Sequence, residues 1–228
     1  NDCILDFKTI KKEGSDNKIS IVLAAAKKEA VKERVKMVGE AGFTVRIVDI
    51  DGFALANSFS RNFPGIGPDK TSALLNIGGT FTNLSILRGE AIFFARDIAI
   101  GTGDFSAILS KKMGLDSNIT DGLIFVPKEK SQEVAEHMKT VFNNLLEEVK
   151  LSFNYYENQG GRSIDEIYIS GGGIGLFGLN EVFQENLGSK PTLWKPLGFL
   201  DKEKAVIDKA LIDSQEPNLA IAAGLALR

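Results

Sequence analysis

The chain has 228 residues, 43% of them hydrophobic and 25% charged, with a formal net charge of -3 at pH 7, a balance that supports a packed core and excludes a disordered chain. No run of Lys and Arg forms the phosphate-neutralising stripe of a nucleic-acid binder, so nucleic acid is not an expected partner. No apolar run reaches the ~18 residues that span a bilayer, and the opening NDCILDFKTIKKEG lacks the basic and apolar segments of a signal peptide, so a soluble chain without direct membrane insertion is expected.

Residues 4–10 and 19–25 are rich in strand formers and flank KKEGSDNK, a turn-forming string, which predicts a hairpin. Val31, Val35 and Val38 follow at helical spacing, and Gly42 ends that helix. VRIVDI at 45–50 predicts another strand, and Asp51 is placed to cap a short helix through FALANSF. Pro64, Gly65, Gly67 and Pro68 break regular structure and mark a domain edge or hinge. SALLNI, NLSILRG and AIFFARDI then read as a meander of three strands, and Asp104 as the N-cap of a helix carrying Phe105, Ile108 and Leu109. From Ser131 to Glu157 apolar residues recur every three or four positions, which predicts the longest helix. EIYIS at 166–170 predicts a short buried strand, Leu179 to Leu187 a helix, and LAIAAGLALR a buried closing helix.

Two glycine strings carry the chemistry. In Asn76-Ile77-Gly78-Gly79-Thr80-Phe81-Thr82-Asn83 the glycines let backbone amides approach an anion, and the Thr80 and Thr82 hydroxyls add donors. An ordinary hairpin turn has the same composition. Ser170-Gly171-Gly172-Gly173 follows a buried strand, where absent side chains let a flat ring lie against the main chain; a flexible strand-to-helix loop would read alike. On the long helix, Glu147, Lys150 and Asn154 lie opposite Leu145, Val149 and Phe153, so Glu147 and Lys150 either meet a ribose or form a solvated pair. The lone Cys3 forms no internal disulfide, which fits a reducing compartment, and the single His137 excludes sites needing two imidazoles.

In this order the pieces resemble the superfamily of actin, DnaK-type chaperones and sugar kinases, in which two hairpin phosphate loops and a glycine-rich adenosine motif clamp ATP. VDIDGFALANSF, LLNIGGTFTNLSILRGE, FARDIAIGTGDF, IYISGGGIGLFGLNEVF and NLAIAAGLALR resemble the PilM family of type IV pilus assembly proteins and, more remotely, FtsA. The resemblance implies an α/β fold of the actin-like (ribonuclease H-like) kind, a mixed sheet flanked by helices. It places 1–43 in part of an inserted small α/β subdomain, 44–68 in the return segment of a front domain and hinge, and 69–228 in a rear domain. Within the rear domain, 115–160 would be a helical subdomain and 161–228 the adenosine motif and terminal helix. Asn76, Gly78, Gly79, Thr80 and Thr82 would then face the phosphates of ATP with Mg, Gly171, Gly172 and Gly173 the adenosine, and Glu147 with Lys150 the ribose. The implied role is a cytoplasmic scaffold, peripheral to the inner membrane, that docks the N-terminal cytoplasmic tail of a PilN-type protein; self-association is compatible with it.

Two departures bear on mechanism. No first phosphate loop of the family type occurs before residue 71, so either the sequence is a piece of a longer protein or the front domain is degenerate. Asn76 stands where the family usually has an aspartate, and it lacks the charge that holds magnesium and positions an attacking water. Binding without turnover is therefore expected, with no assigned catalytic residue and no protein-held metal. The alternatives are an ATPase or small-molecule kinase of the same fold, for which Asp97, Asp104 and Asp121 are the candidate carboxylates, or an FtsA-like or type II secretion actin-like module without nucleotide.

Overall fold

A computed structural model describes residues 2–10, 20–160, 162–201 and 208–228. The proposed turn at KKEGSDNK lies outside the described residues. Strands β1 (Cys3–Ile10) and β2 (Ser20–Lys27) pair antiparallel and lead into helix α1 (Lys28–Glu40). Gly42, at φ 87°, turns the chain after α1. Residues 43–50 then run without regular structure, so the strand expected at 45–50 is not formed. Ile50 is extended, but a strand also needs a neighbouring backbone to pair with, and none of the described strands pairs with this stretch.

Helix α2 (Asp51–Asn62) begins at Asp51 itself, with Ile50 in the cap position and no side-chain cap. The expected cap at Asp51 is thus corrected: its carboxyl turns toward Asn83 and Asp97. After the loop at 63–70 come β3 (Thr71–Ile77), β4 (Thr82–Arg88) and β5 (Ala91–Ile98), an antiparallel meander. Helix α3 (Thr102–Met113) is capped by Gly101, whose amide donates to the Asp104 carboxylate at 2.8 Å. Asp104 therefore serves as the third helical residue and not as the N-cap. Helices α4 (Ser117–Leu123) and α5 (Ser131–Gly160) follow. Then come β6 (Glu166–Ser170), a 3-10 turn at Gly172–Gly175, α6 (Leu179–Leu187), β7 (Thr192–Leu193) and α7 (Lys209–Gln215). A 3-10 turn at Glu216–Leu219 leads into α8 (Ala220–Ala226).

The main sheet has the order β5-β4-β3-β6-β7, with β6 parallel to both β3 and β7. β3 lies at its centre and is buried along its whole length, and its alternation divides the molecule into two layers. Ala73, Leu75 and Ile77 face α3 and α5, packing with Phe105, Leu109, Met138, Phe142, Leu145 and Val149. Leu74 faces α2 and α8 with Leu55, Phe59, Tyr168 and Trp194. A β-bulge where Ile86 and Leu87 meet β5 lets the successive Phe93 and Phe94 both join the α5 layer.

On the other layer the α2–α8 contact is set by small residues. A Cβ added to Gly224 would lie 1.7 Å from the Ala54 carbonyl oxygen, so the two backbones touch with nothing between them. Phe59, Phe63, Tyr168 and Trp194 stack beside that contact, with Phe59–Tyr168 and Phe59–Trp194 edge-on at 4.7 and 5.4 Å. The Tyr168 hydroxyl bonds Glu166, which pairs with Lys70 at 2.6 Å. Burial first, and then the Glu166 carboxylate, push the phenol up to about 12. Among the described residues no helix is long and apolar enough to cross a membrane.

Candidate functional site

The turn joining β3 to β4 is closed by the Gly78 amide donating to the Phe81 carbonyl at 2.9 Å. The first amides of α3 pack against it: Thr102 N donates to Gly78 O and Gly103 N to Gly79 O, both at 2.9 Å. A Cβ on Gly101 would meet the Gly79 carbonyl at 2.5 Å, so turn and helix start form one unit that admits only glycine there. These bonds occupy the amides a bare helix start would offer to an anion. Gly79 and Thr80 are exposed at the tip and Gly78 is half-buried. Thr82 is fully buried, and its hydroxyl donates to the Ile100 carbonyl at 2.8 Å. Of the two threonines expected to meet phosphates, only Thr80 is open to do so.

The second glycine string meets the first at Ile77. Gly171 has φ 89°, and a Cβ on it would lie 2.4 Å from Ile77 O; one on Gly173 would lie 2.2 Å from Ile77 Cγ2. The loop after β6 is thus laid directly on the end of β3, and two strings far apart in the chain share one place. Gly172, between them, is exposed. The Gly171 amide is held by the Pro217 carbonyl at 2.7 Å.

Across the sheet at this level runs a row of polar side chains. Ser170, Asn76, Asn83 and Asp97 are successive register partners on β6, β3, β4 and β5. The Ser170 hydroxyl donates to Asn76 Oδ1 at 3.1 Å, Asn76 Nδ2 to Asn83 Oδ1 at 3.1 Å, and Asn83 Nδ2 to Asp97 Oδ1 at 2.8 Å. Asp51, at the start of α2, adjoins the row and also hydrogen-bonds the Asn83 side chain. Partial burial first, and then the Asp97 charge, hold the Asp51 carboxyl above its ordinary range, against Arg34 and Asn83. Of the candidate carboxylates, Asp97 belongs to this row, Asp104 is engaged with Gly101, and Asp121 is exposed on α4.

Beside the glycine loop a cavity of about 830 Å³ opens between α5 and α6. Gly175 and Phe177 form one wall, and Ala135, Glu136, Lys139 and Asn143 of α5 the other. Its size suits a small organic ligand, for which ~300–1,000 Å³ is usual. Glu147 is exposed and does not line it; Lys150 reaches its edge only through Asn186, with Nζ to Oδ1 at 3.5 Å. Sequence periodicity gave α5 several polar positions on similar faces. The turn of α5 facing α6 carries Glu136, Lys139 and Asn143, three turns earlier, and nothing in their spacing distinguishes them. No three His, Cys, Asp or Glu side chains converge among the described residues. Asn76 brings no charge and its Oδ1 already accepts one hydrogen bond from Ser170, so this position is a poor fit for a magnesium ion held directly by the protein.

A mixed sheet between helical layers, with a glycine turn and a glycine loop meeting at the ends of its central strands, makes this an actin-like α/β protein. Its whole length, residues 1–228, is matched by the family model of the type IV pilus assembly protein PilM, and the chain belongs to that family. A solved PilM-PilN type IV pilus biogenesis complex contains a chain similar in fold (TM-score 0.85, 23% identity). The match covers 100% of this chain and 66% of that one. MreB5 of Spiroplasma citri bound to AMPPNP matches with TM-score 0.60 and 12% identity over 87% of this chain and 64% of its own. The ethanolamine utilization protein EutJ of Carboxydothermus hydrogenoformans matches with TM-score 0.58 and 19% identity, over 83% of this chain and 57% of its own. The present chain thus spans 66% or less of the length of each.

Proposed function

We propose that this chain is the nucleotide-responsive part of a cytoplasmic pilus-assembly scaffold that docks the N-terminal tail of a PilN-type inner-membrane protein and is held at the membrane by that partner. The observation that carries this reading is the PilM family match over every residue; the similar chain in the PilM-PilN complex supports the partner. In this reading 1–43 belong to an inserted small subdomain, 44–68 to the front domain and hinge, and 69–228 to the rear domain. A synthetic PilN-type tail peptide is expected to be retained by the complete protein and a scrambled one released; retention of neither in a pull-down rejects the docking role.

The nucleotide would be ATP, with its magnesium carried on the phosphates. Gly78, Gly79 and Thr80 would meet the phosphates, with Asn76 fixing the strand end beneath them. Gly171 to Gly173 would back the nucleoside, which would enter the adjoining cavity against Phe177, with Glu136, Lys139 and Asn143 as its polar partners. Glu147 and Lys150 take no direct part, and binding rather than turnover is the work, since residue 76 brings no charge. Ala135 is exposed on the cavity wall, so Ala135→Trp fills the space without disturbing the core. By calorimetry on the complete protein, ATP affinity is expected to fall about ten-fold or more, the loss of roughly 1.4 kcal/mol of binding. Unchanged affinity with an intact thermal transition would place the nucleotide elsewhere.

A further inference from the structure

We propose that Asp97 is a positioning residue for the β3–β4 turn: through Asn83 it fixes which way the Asn76 amide faces, so that position 76 accepts a neutral side chain and rejects a carboxylate. A carboxylate accepts hydrogen bonds and donates none, so the group Asn83 turns toward Asp97 must be its N–H2. The Asp51 carboxyl, which also interacts with the Asn83 side chain, favours the same orientation. Asn83 therefore presents its oxygen to residue 76, at 3.1 Å from Asn76 Nδ2, and Asn76 in turn presents its own oxygen to the Ser170 hydroxyl. The polarity of all four side chains follows from the charged end of the row. Both Asn76 and Asn83 are buried, at 8% and 5% exposure, so neither can exchange a lost partner for bulk water.

An aspartate at 76 would set a carboxylate oxygen against the Asn83 oxygen, acceptor to acceptor. It escapes only by keeping its proton and donating O–H, or by flipping Asn83 and turning that oxygen onto Asp97 and Asp51. The ionisable and charged groups around the row are Asp97 on β5, Asp51 at the start of α2, Asp49 just before it and Arg34 on α1. Arg228 also pairs with Asp49 at 2.6 Å, so three carboxylates stand against two guanidiniums, which still leaves no net positive field to hold a further anion. Asn76 is thus matched to Asp97, and replacing Asn76 alone by the aspartate usual in the family does not recreate a magnesium-responsive phosphate turn.

This functional consequence rests on the phosphate reading of the turn; the polarity of the row does not, and the experiment separates them. Thermal stability of the complete protein is measured at about pH 5 and about pH 8 for Asn76→Asp, Asp97→Asn and both together. Relative to the parent, Asn76→Asp is expected to lose on the order of 5 °C more at the higher pH than at the lower. The sign follows from a carboxyl whose folded-state pKa is raised: its contribution is full below the ordinary carboxylate range and lost as pH rises through the raised value. Asp97→Asn keeps an acceptor oxygen for Asn83 and should change little, and adding it to Asn76→Asp should remove at least half of the pH-dependent loss. A loss equal at both pH values, or one untouched by Asp97→Asn, overturns the proposal. ATP affinity with and without magnesium, measured on the same proteins, is expected to gain magnesium dependence only in the double variant. If the stability pattern appears while no variant binds ATP, the positioning role stands and the phosphate reading fails.

Discussion

Replacing Gly224 by alanine is expected to destabilise the fold by about 3 kcal/mol or more, a large effect for one methyl group. The added carbon would sit 1.7 Å from the Ala54 carbonyl oxygen, inside any contact radius, and the obstacle is backbone. No rotamer change relieves it, so α8 must move off α2. Ser58 Oγ and Asn62 Nδ2 of α2 both reach the Pro196 carbonyl, the latter at 2.8 Å, and Phe59 packs on Trp194, so a displaced helix disturbs that layer too. Urea unfolding of Gly224→Ala is the direct measurement, with Ala222→Ser, at an exposed position of the same helix, as a mild control. A change under about 1 kcal/mol would mean that the helices are not held at this distance.

The second large effect is expected at Gly171. Its φ of 89° is strained for any L side chain, and a Cβ there would lie 2.4 Å from Ile77 O. Backbone strain of ~1–3 kcal/mol adds to the overpacking, so Gly171→Ala should cost about 4 kcal/mol in total. The displaced atom belongs to the residue just before Gly78, so the β3–β4 turn should shift with it. Weaker ATP binding in whatever fraction remains folded is therefore expected alongside the lowered unfolding midpoint. Gly172→Ala, exposed and with ordinary φ, should do neither, its new carbon meeting only Asn218 Oδ1 at 3.3 Å.

Much of this architecture was legible in the residues. The meander from Thr71 to Ile98, the helix from Ser131, and the strand at Glu166 each carry a periodicity that local physics enforces. The segment at 45–50 did not follow its composition, because strand propensity in Val, Arg, Ile and Val is realised only against a partner strand. Asp51 and Asp104 were one to three residues out of place as caps, a distance at which side-chain chemistry alone does not choose. In the site, the two glycine strings were visible, but their meeting at Ile77 was not, since it depends on the parallel pairing of β3 with β6. Thr82 opens β4, a strand buried on both faces, so its hydroxyl turns inward to Ile100 although its place in the glycine string suggests an exposed turn. That Glu136, Lys139 and Asn143 line the cavity while Glu147 and Lys150 do not is not legible in the residues, because which turn of a 30-residue helix meets α6 is decided by packing.

The central position of β3 also sets an order of events during folding. Its antiparallel pairing with β4 closes over a tight turn, whereas its parallel pairing with β6 joins Ser72 to Glu166, and the adjoining Thr71–Asp165 bond spans 94 residues. Local hairpins form within microseconds, while a long crossover must first pay the entropy of closing its loop. The β3–β4–β5 meander is thus the natural nucleus, and α3 to α5 must be compact before β6 can dock. The two glycine strings are then brought together only when β6 docks, so in a nascent chain they stay apart until β6 has emerged.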